Sequence, residues 1–221
     1  NRSTTLDASL KDFEYINGGL FAEQLSIPDF NYRMRDILLA AMGLDWSKVS
    51  PAIFGSMFQG VMDAGQRRNL GAHYTSEENI LKVIKPLFLD DLYDEFARIG
   101  SNGTKLRAFH DKIASLKFLD PACGCGNFLV ITYRELRKLE HKILEKIYGK
   151  QRGMFDVGAA GLIQLNVDQM YGIEIEEFPA LIAQTALWLT DHQMNMEFSA
   201  ESGRVFKRIP LTKSAAIIHG N

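Results

Sequence analysis

The chain has 221 residues, 46% of them hydrophobic, and a formal net charge of −2 from 25 basic and 27 acidic side chains. This length suits one α/β domain, or one domain with a smaller attachment, built around a sizeable core. A free-standing nucleic-acid-binding module carries a basic excess, because phosphate neutralisation dominates its affinity. We therefore expect any main nucleic-acid surface to be local or to lie outside this chain.

The only two cysteines, Cys123 and Cys125, are separated by one residue. That spacing argues against a disulfide framework and a cysteine-based zinc site, and it fits a reducing cytoplasm. No apolar stretch approaches the ~18 residues that indicate a membrane span, and the polar start does not resemble a signal peptide. We expect no metal site and no membrane association. The first residue is Asn, which indicates a piece of a longer protein.

The first 66 residues are predicted to form a helical segment. Apolar residues recur on one side of a first helix that ends at Gly43. A second helix begins with Ser50 as its cap and Pro51 in its first turn. We interpret this segment as a support for the domain that occupies residues 67–221.

Helices and strands are predicted to alternate in the rest of the chain. Thr75 and Glu78 form a capping box ahead of an apolar helix. The alternation that follows is typical of a parallel, doubly wound sheet, in which ligands bind beyond the carboxyl ends of the strands. The predicted elements are a helix over 104–116, a strand over 117–119, a helix over 128–148, a strand over 167–175, a helix over 176–195 and a strand that begins near 214.

A glycine-rich turn, "FLDPACGCGNFL" (118–129), links the first of these strands to its helix. Such a turn lets backbone N–H groups approach a ligand closely. It matches the dinucleotide fingerprint G-x-G-x-x-G poorly, because Leu129 stands at the third glycine. Glu174 lies 48 positions after Gly126, against about 20 in that fingerprint. A nicotinamide oxidoreductase is therefore a weaker alternative, and no Walker-type G-K-[ST] is present.

Three segments carry a resemblance to a known family. "DPACGCGNF" resembles the D-P-x-x-G-x-G-x-F motif of S-adenosylmethionine-dependent DNA amino-methyltransferases. "GAHYTSEENI" resembles their G-x-x-Y-T-x-x-x-x-I segment, and "YGIEIEEFPALIAQTAL" resembles their second motif. The matches cover residues 71–221 in the γ order. "YINGGLF" and "FGSMFQGVMD" further resemble the branch found in large single-chain restriction–modification enzymes. The resemblance implies an α/β fold with the N-terminal strands of a Rossmann-like methyltransferase sheet, preceded by a helical segment.

The resemblance also implies S-adenosylmethionine as the cofactor. In the family, its methionine part lies over the glycine turn, and the acid that ends the second strand, here Glu174, accepts both ribose hydroxyls. Ile175 would pack on the adenine ring, Tyr74 and Thr75 would hold the amino-acid end, and Asn221 stands at an adenine-binding position. The implied cofactor-binding residues are Tyr74, Thr75, Asp120, Ala122, Gly124, Gly126, Glu174, Ile175 and Asn221.

Several of these residues also fit simpler roles. Asp120 could cap the turn that follows it, Glu174 could be a solvated strand end, and Tyr74 could pack at a helix start. Cys123 and Cys125 lack an identifiable nucleophile partner. We interpret them as small residues buried in a tight turn.

The family's catalytic motif, [DNS]-P-P-[FYW], is absent, because no two prolines are adjacent. That motif binds the target amino group and stacks on the flipped base, so we assign no catalytic residue. Glu140 and Lys142 show an E-x-K spacing without a placed aspartate, and we assign no nuclease cluster. We expect the chain to end inside the third cofactor motif and ahead of the target-recognition domain. DNA would bind through parts of the parent protein that this chain lacks.

Two functions follow from the sequence. The first is the cofactor half of a DNA methyltransferase that modifies adenine N6, with cytosine N4 as the less favoured target, and this portion is expected to be inactive by itself. The second is an S-adenosylmethionine-binding or structural module without catalysis.

Overall fold

The structure, a computed structural model, divides into two compact units, Asn1–Asp45 and Trp46–Asn221. The first unit contains helix α1 (Tyr32–Met42), which ends at Gly43 as predicted. The predicted domain boundary after residue 66 stays a prediction. The residues that the structure describes are 29–44, 49–61, 75–148, 162–202 and 215–221.

The second unit combines helices with a small sheet. Its strands alternate with its two longest helices in the order β1–α6–β2–α7–β3, which confirms the predicted α/β alternation. None of the helices in the described residues is long and apolar enough to cross a membrane. The elements of this unit are α2 (Ile53–Val61), α3 (Glu77–Ile84), α4 (Asp90–Ile99), α5 (Gly103–Ser115), β1 (Phe118–Asp120), α6 (Asn127–Tyr148), β2 (Met170–Glu174), α7 (Glu177–Ser202) and β3 (Ala216–His219).

The start of α3 corrects the predicted capping box. Ser76, and not Thr75, is the N-cap, and its Oγ accepts the Asn79 N–H at 3.4 Å. Glu78 lies on the exposed side of the first turn. Thr75 and Ser76 carry the same capping group, so the choice between them depends on which register buries the apolar face of the helix.

Helix α4 was not predicted, because a proline precedes it. Residues Lys85–Leu89 form a π-helical turn that contains Pro86, and α4 follows directly. The Asp90 N–H donates to the Lys85 carbonyl across this wider turn. A proline inside a helical pattern normally ends the helix, whereas the π-helical turn here carries the chain past it.

The three strands form a parallel sheet in the order β1–β2–β3. The register pairs Asp120 with Gly172 and Glu174 with His219. Helices α6 and α7 connect successive strands and pack against each other. Because such connections are right-handed, both helices lie on the same face of the sheet.

The two faces of the sheet differ in burial. Met170 and Ile217 are buried under the helices, whereas the side chains of Leu119 and Ile218 on the opposite face are 64% and 62% exposed. Side chains alternate between faces along a strand, so the sheet's helix-covered face is part of the core. The carboxyl ends of all three strands meet at one edge.

Glu140 of α6 lies at the centre of a buried polar cluster. Its Oε1 is 2.7 Å from His110 Nε2 of α5, and it accepts the backbone N–H groups of Gln164 at 2.7 Å and Leu165 at 3.1 Å. Burial alone would raise the pKa of Glu140, but His110, Arg137 and the Leu165 N–H together hold it below its ordinary value. Glu140 is thus a structural carboxylate that ties α5 and the approach to β2 onto α6.

The same cluster continues from α6 to α7. The Arg137 guanidinium is fully buried and donates to Asp191 Oδ1 at 2.6 Å and to Asn195 Oδ1 at 2.8 Å. The Tyr133 hydroxyl also donates to Asp191 Oδ1 at 2.6 Å. These directional contacts set how the two long helices sit against each other.

We predict that Glu140→Ala lowers the free energy of unfolding by about 3–5 kcal/mol, because it leaves buried charges and N–H groups without their acceptor. Glu78→Ala is the matched control. It removes an exposed pair with Lys82 at 2.7 Å and should cost less than about 0.5 kcal/mol. Urea unfolding followed by circular dichroism measures both values, and equal costs for the two variants would contradict the prediction.

Candidate functional site

The carboxyl ends of the strands bring the predicted site residues together. Asp120 ends β1 and Glu174 ends β2. The Cys123 N–H, in the turn after β1, donates to the Ile173 carbonyl at 3.0 Å, and the Gly220 N–H, after β3, donates to the Glu174 carbonyl at 2.8 Å. The end of β2 therefore holds both neighbouring segments in place.

The two glycines of the turn have different tasks. Both lie at positive φ, 54° at Gly124 and 78° at Gly126, where other residues are strained. A Cβ on Gly126 would lie 2.8 Å from the Ala183 Cβ of α7, so this glycine is required for close packing. A Cβ on Gly124 would meet nothing within 4 Å. Gly124 therefore faces open space in which a ligand can approach the backbone.

The Glu174 carboxylate connects two loops at this edge. Its Oε2 accepts the Gly124 N–H at 2.7 Å and its Oε1 accepts the Glu176 N–H at 3.0 Å. Each carboxylate oxygen keeps a second lone pair for another donor. The arrangement orients the carboxylate and leaves it able to accept a pair of hydroxyl groups.

The other predicted site residues in this part of the chain lie at or just beyond the strand ends. Asp120 Oδ1 accepts the Ala122 N–H at 3.1 Å, so Asp120 caps the turn locally. Ile175, directly beyond β2, is 56% exposed. His219 Nε2 lies 3.1 Å from the Ile175 carbonyl oxygen. Asn221 is exposed two residues after β3. Their contacts to a cofactor stay predictions.

Helix α3, which follows the predicted site residues Tyr74 and Thr75, is tied to helix α6. Tyr74 lies outside the described residues. Thr75 precedes the Ser76 cap, and Glu77, the first residue of α3, forms a two-point ion pair with Arg134 of α6. No sequence pattern indicates a role for Arg134, because its partner lies 57 positions away and no local pattern marks the pair.

Helix α2 also lies beside the glycine turn, which no motif indicated. A Cβ on Gly55 would lie 2.8 Å from Asn127 Nδ2, at the first residue of α6. The Phe58 and Phe178 rings are 5.4 Å apart, at the start of α7. Glycine in the middle of a helix is a signal of close packing, but its partner could not be read from the sequence.

The two cysteines support the turn as unreactive thiols. Cys123 is buried, and a Cβ on Gly172 would lie 2.7 Å from its Sγ. Burial raises the pKa of Cys123 to about 12 and the pKa of Cys125 to about 11. Both are free, and no group of three or more His, Cys, Asp or Glu side chains in the described part of the chain could hold a metal ion.

We predict that both thiols resist alkylation in the folded protein. Only the thiolate reacts, and a pKa near 11 leaves about a hundredfold less thiolate at pH 8 than a free cysteine has. Iodoacetamide labelling followed by mass spectrometry should show this difference between native and guanidine-unfolded protein, with native reactivity rising as the pH approaches 11. Equal labelling rates for the two states at pH 8 would contradict it.

We predict that Glu174→Gln loosens the glycine turn without any ligand present. The amide –NH₂ cannot accept the N–H that a carboxylate oxygen accepts, so Gly124 or Glu176 loses its partner. Hydrogen–deuterium exchange at the amide that loses its acceptor should become roughly tenfold faster, which corresponds to one lost hydrogen bond.

Asp120→Asn is the matched control for this experiment. It changes the neighbouring strand-end acid but leaves the bond from Gly124 to Glu174 intact. Exchange that is unchanged at both Gly124 and Glu176 in Glu174→Gln, or equally fast in both variants, would show that the Glu174 carboxylate does not hold these N–H groups.

Comparisons with known proteins identify relatives of this chain. The family model described as "MmeI, DNA-methyltransferase domain" matches residues 96–221. DNA methyltransferase A of Bacillus subtilis (strain 168) is 42% identical over 202 residues, which is 91% of this chain and 22% of that protein. A solved structure of the Type IIL restriction–modification enzyme MmeI in complex with DNA is 59% identical with a TM-score of 0.91, and it covers 100% of this chain.

This chain spans only part of its relatives, about a fifth of the Bacillus protein and 29% of the MmeI chain. The matched family nevertheless takes in more than half of the chain, including all three strands and the glycine turn. The chain belongs to the family of MmeI DNA-methyltransferase domains, whose relatives are DNA methyltransferases of restriction–modification type.

Proposed function

We propose that this chain is the cofactor-binding portion of a DNA methyltransferase that transfers a methyl group from S-adenosylmethionine to adenine N6. The observation that carries the proposal is the Glu174 carboxylate, which two backbone N–H groups orient beside the open space at Gly124. In this proposal, β1, β2 and β3 are the first strands of a Rossmann-like methyltransferase sheet.

The residues at the site fit that cofactor. Two vicinal ribose hydroxyls can donate to the free lone pairs of Glu174. The exposed Ile175 offers an apolar surface for the adenine ring. Gly124, with no side chain and an open approach, lets the methionine part lie against the turn. Tyr74, Thr75, Asp120, Ala122, Gly126 and Asn221 complete the proposed site.

Bound S-adenosylmethionine supplies an activated methyl group that an exocyclic amine can attack directly. The part of the protein in this chain holds and orients that donor, which lowers the barrier by positioning. The sequence contains no P-P pair, so we assign the polar and aromatic groups that bind the flipped base to other parts of the complete protein. This portion by itself is proposed to be inactive.

DNA is the proposed partner of the complete protein, and a cytoplasmic location follows from that partner. The MmeI relative was solved in complex with DNA, while this chain has a formal charge of −2. DNA contacts are therefore proposed to lie mainly outside this chain. A binding or structural module is the alternative, since no catalytic residue is assigned here.

We predict that the complete protein transfers label from methyl-labelled S-adenosylmethionine to DNA, with N6-methyladenine as the product after digestion to nucleosides and mass spectrometry.

Calorimetric titration of the same protein should show binding of S-adenosylmethionine and none of NAD. Gly124→Ala, which places a side chain in the open approach, should weaken binding at least about tenfold, because the new Cβ is also strained at positive φ.

Each contrary outcome points to a different alternative. N4-methylcytosine as the product would replace adenine as the target. Binding of S-adenosylmethionine without transfer to any DNA would favour the module without catalysis, and binding of NAD would favour the oxidoreductase.

A further inference from the structure

One ion pair joins Glu77, the first residue of helix α3, to Arg134 of helix α6, which begins after the glycine turn. Arg134 of α6 donates to both carboxylate oxygens of Glu77, and the Nη1–Oε2 distance is 3.0 Å. The Arg134 side chain is 18% exposed and that of Glu77 40%. A planar two-point contact between a guanidinium and a carboxylate fixes direction as well as distance.

A second carboxylate, that of Glu135, also accepts hydrogen bonds from the Arg134 guanidinium. Glu135 Oε1 accepts Arg134 Nε at 3.2 Å and Nη2 at 3.1 Å, and it also accepts Lys138 Nζ at 2.9 Å. The hydrogen bonds from Arg134 hold the pKa of Glu77 below its ordinary value. The pair is therefore part of a network rather than an isolated surface contact, which by itself would contribute little.

The pair lies about two turns along the helix that begins after the glycine turn. Arg134 lies seven residues after Asn127, a rise of about 10 Å along α6. Side chains of a helix point back towards its N-terminus, so the Arg134 side chain extends towards the glycine turn. Glu77 begins α3, and Thr75 precedes it by two residues.

Apolar packing and an ion pair together place helix α3. Ile80 and Ile84 bury this helix in the core, but hydrophobic contacts are non-directional. The pair between Glu77 and Arg134 supplies the missing direction.

We propose that Arg134 is a positioning residue for cofactor binding, which holds Thr75 at the amino-acid end of S-adenosylmethionine by anchoring Glu77. This inference rests on the proposed function. Arg134 touches no cofactor in this scheme and acts only through the start of α3. Its loss should therefore change the affinity for the cofactor more than the rate of methyl transfer.

The test measures KM for S-adenosylmethionine and kcat for DNA methylation in the complete protein. Arg134→Met should raise KM about tenfold, as expected for a small displacement of a binding group, with kcat within about twofold. Glu77→Gln should raise KM similarly. The double variant should be no worse than either single one, because both remove the same interaction. Arg134→Lys keeps the charge but not the planar two-point donor group. Its KM should lie between that of the unmodified protein and that of Arg134→Met.

Lys112→Met is the matched control. It removes another pair between two helices, with Glu95 at 2.5 Å, six residues before β1 and thus at the amino ends of the strands. Its KM should stay unchanged. If the Arg134 and Glu77 variants bind S-adenosylmethionine as the unmodified protein does, the inference is overturned and the proposed function stands.

Two further outcomes are decisive. A loss of folded protein in these variants at unchanged KM, seen in thermal unfolding, would assign the pair to stability alone and overturn the inference. Absence of S-adenosylmethionine binding in the unmodified protein would overturn the proposed function and, with it, this inference.

Discussion

The hydrogen bond from the Gly124 N–H to the Glu174 carboxylate, 2.7 Å long, is the contact on which the candidate site depends. It joins the turn after β1 to the end of β2, and the Cys123 N–H bond to the Ile173 carbonyl supports it one residue away. A carboxylate held in this way needs little reorganisation when a ligand arrives. Preorganised acceptors of this kind contribute more to binding than flexible ones do.

Close packing makes that contact possible. Gly126 lets the turn rest on Ala183 of α7, and Gly172 admits the Cys123 side chain beneath β2. At both places a single methyl group would have to displace its neighbour, and interiors packed at crystal-like density do not yield easily. The buried cluster around Glu140 and Arg137 then holds the long helices at fixed positions below the sheet.

The site also draws on elements outside the strand–helix alternation. Helix α2 contacts the start of α6 through Gly55 and Asn127, and helix α3 is anchored about two turns further along α6 through Glu77 and Arg134. Membership in the family of MmeI DNA-methyltransferase domains gives these elements a functional context. Helices α2 and α3 therefore contact the helix that follows the glycine turn.

The sequence by itself determined the order of strands and long helices, the glycine turn and the family, because hydrophobic period, glycine spacing and strand-end acids are local signals. It misplaced the cap of α3 by one residue and missed α4, since two adjacent hydroxyls and a proline permit more than one local answer. Only the tertiary structure decided which groups meet: Glu174 with Gly124, Arg134 with Glu77, and Gly126 with Ala183. These partners lie about 50 or more residues apart along the chain. Parallel strands joined by a crossover helix bring the first pair to one edge of the sheet, and the packing of α3 and α7 against α6 and its preceding turn brings the other two together.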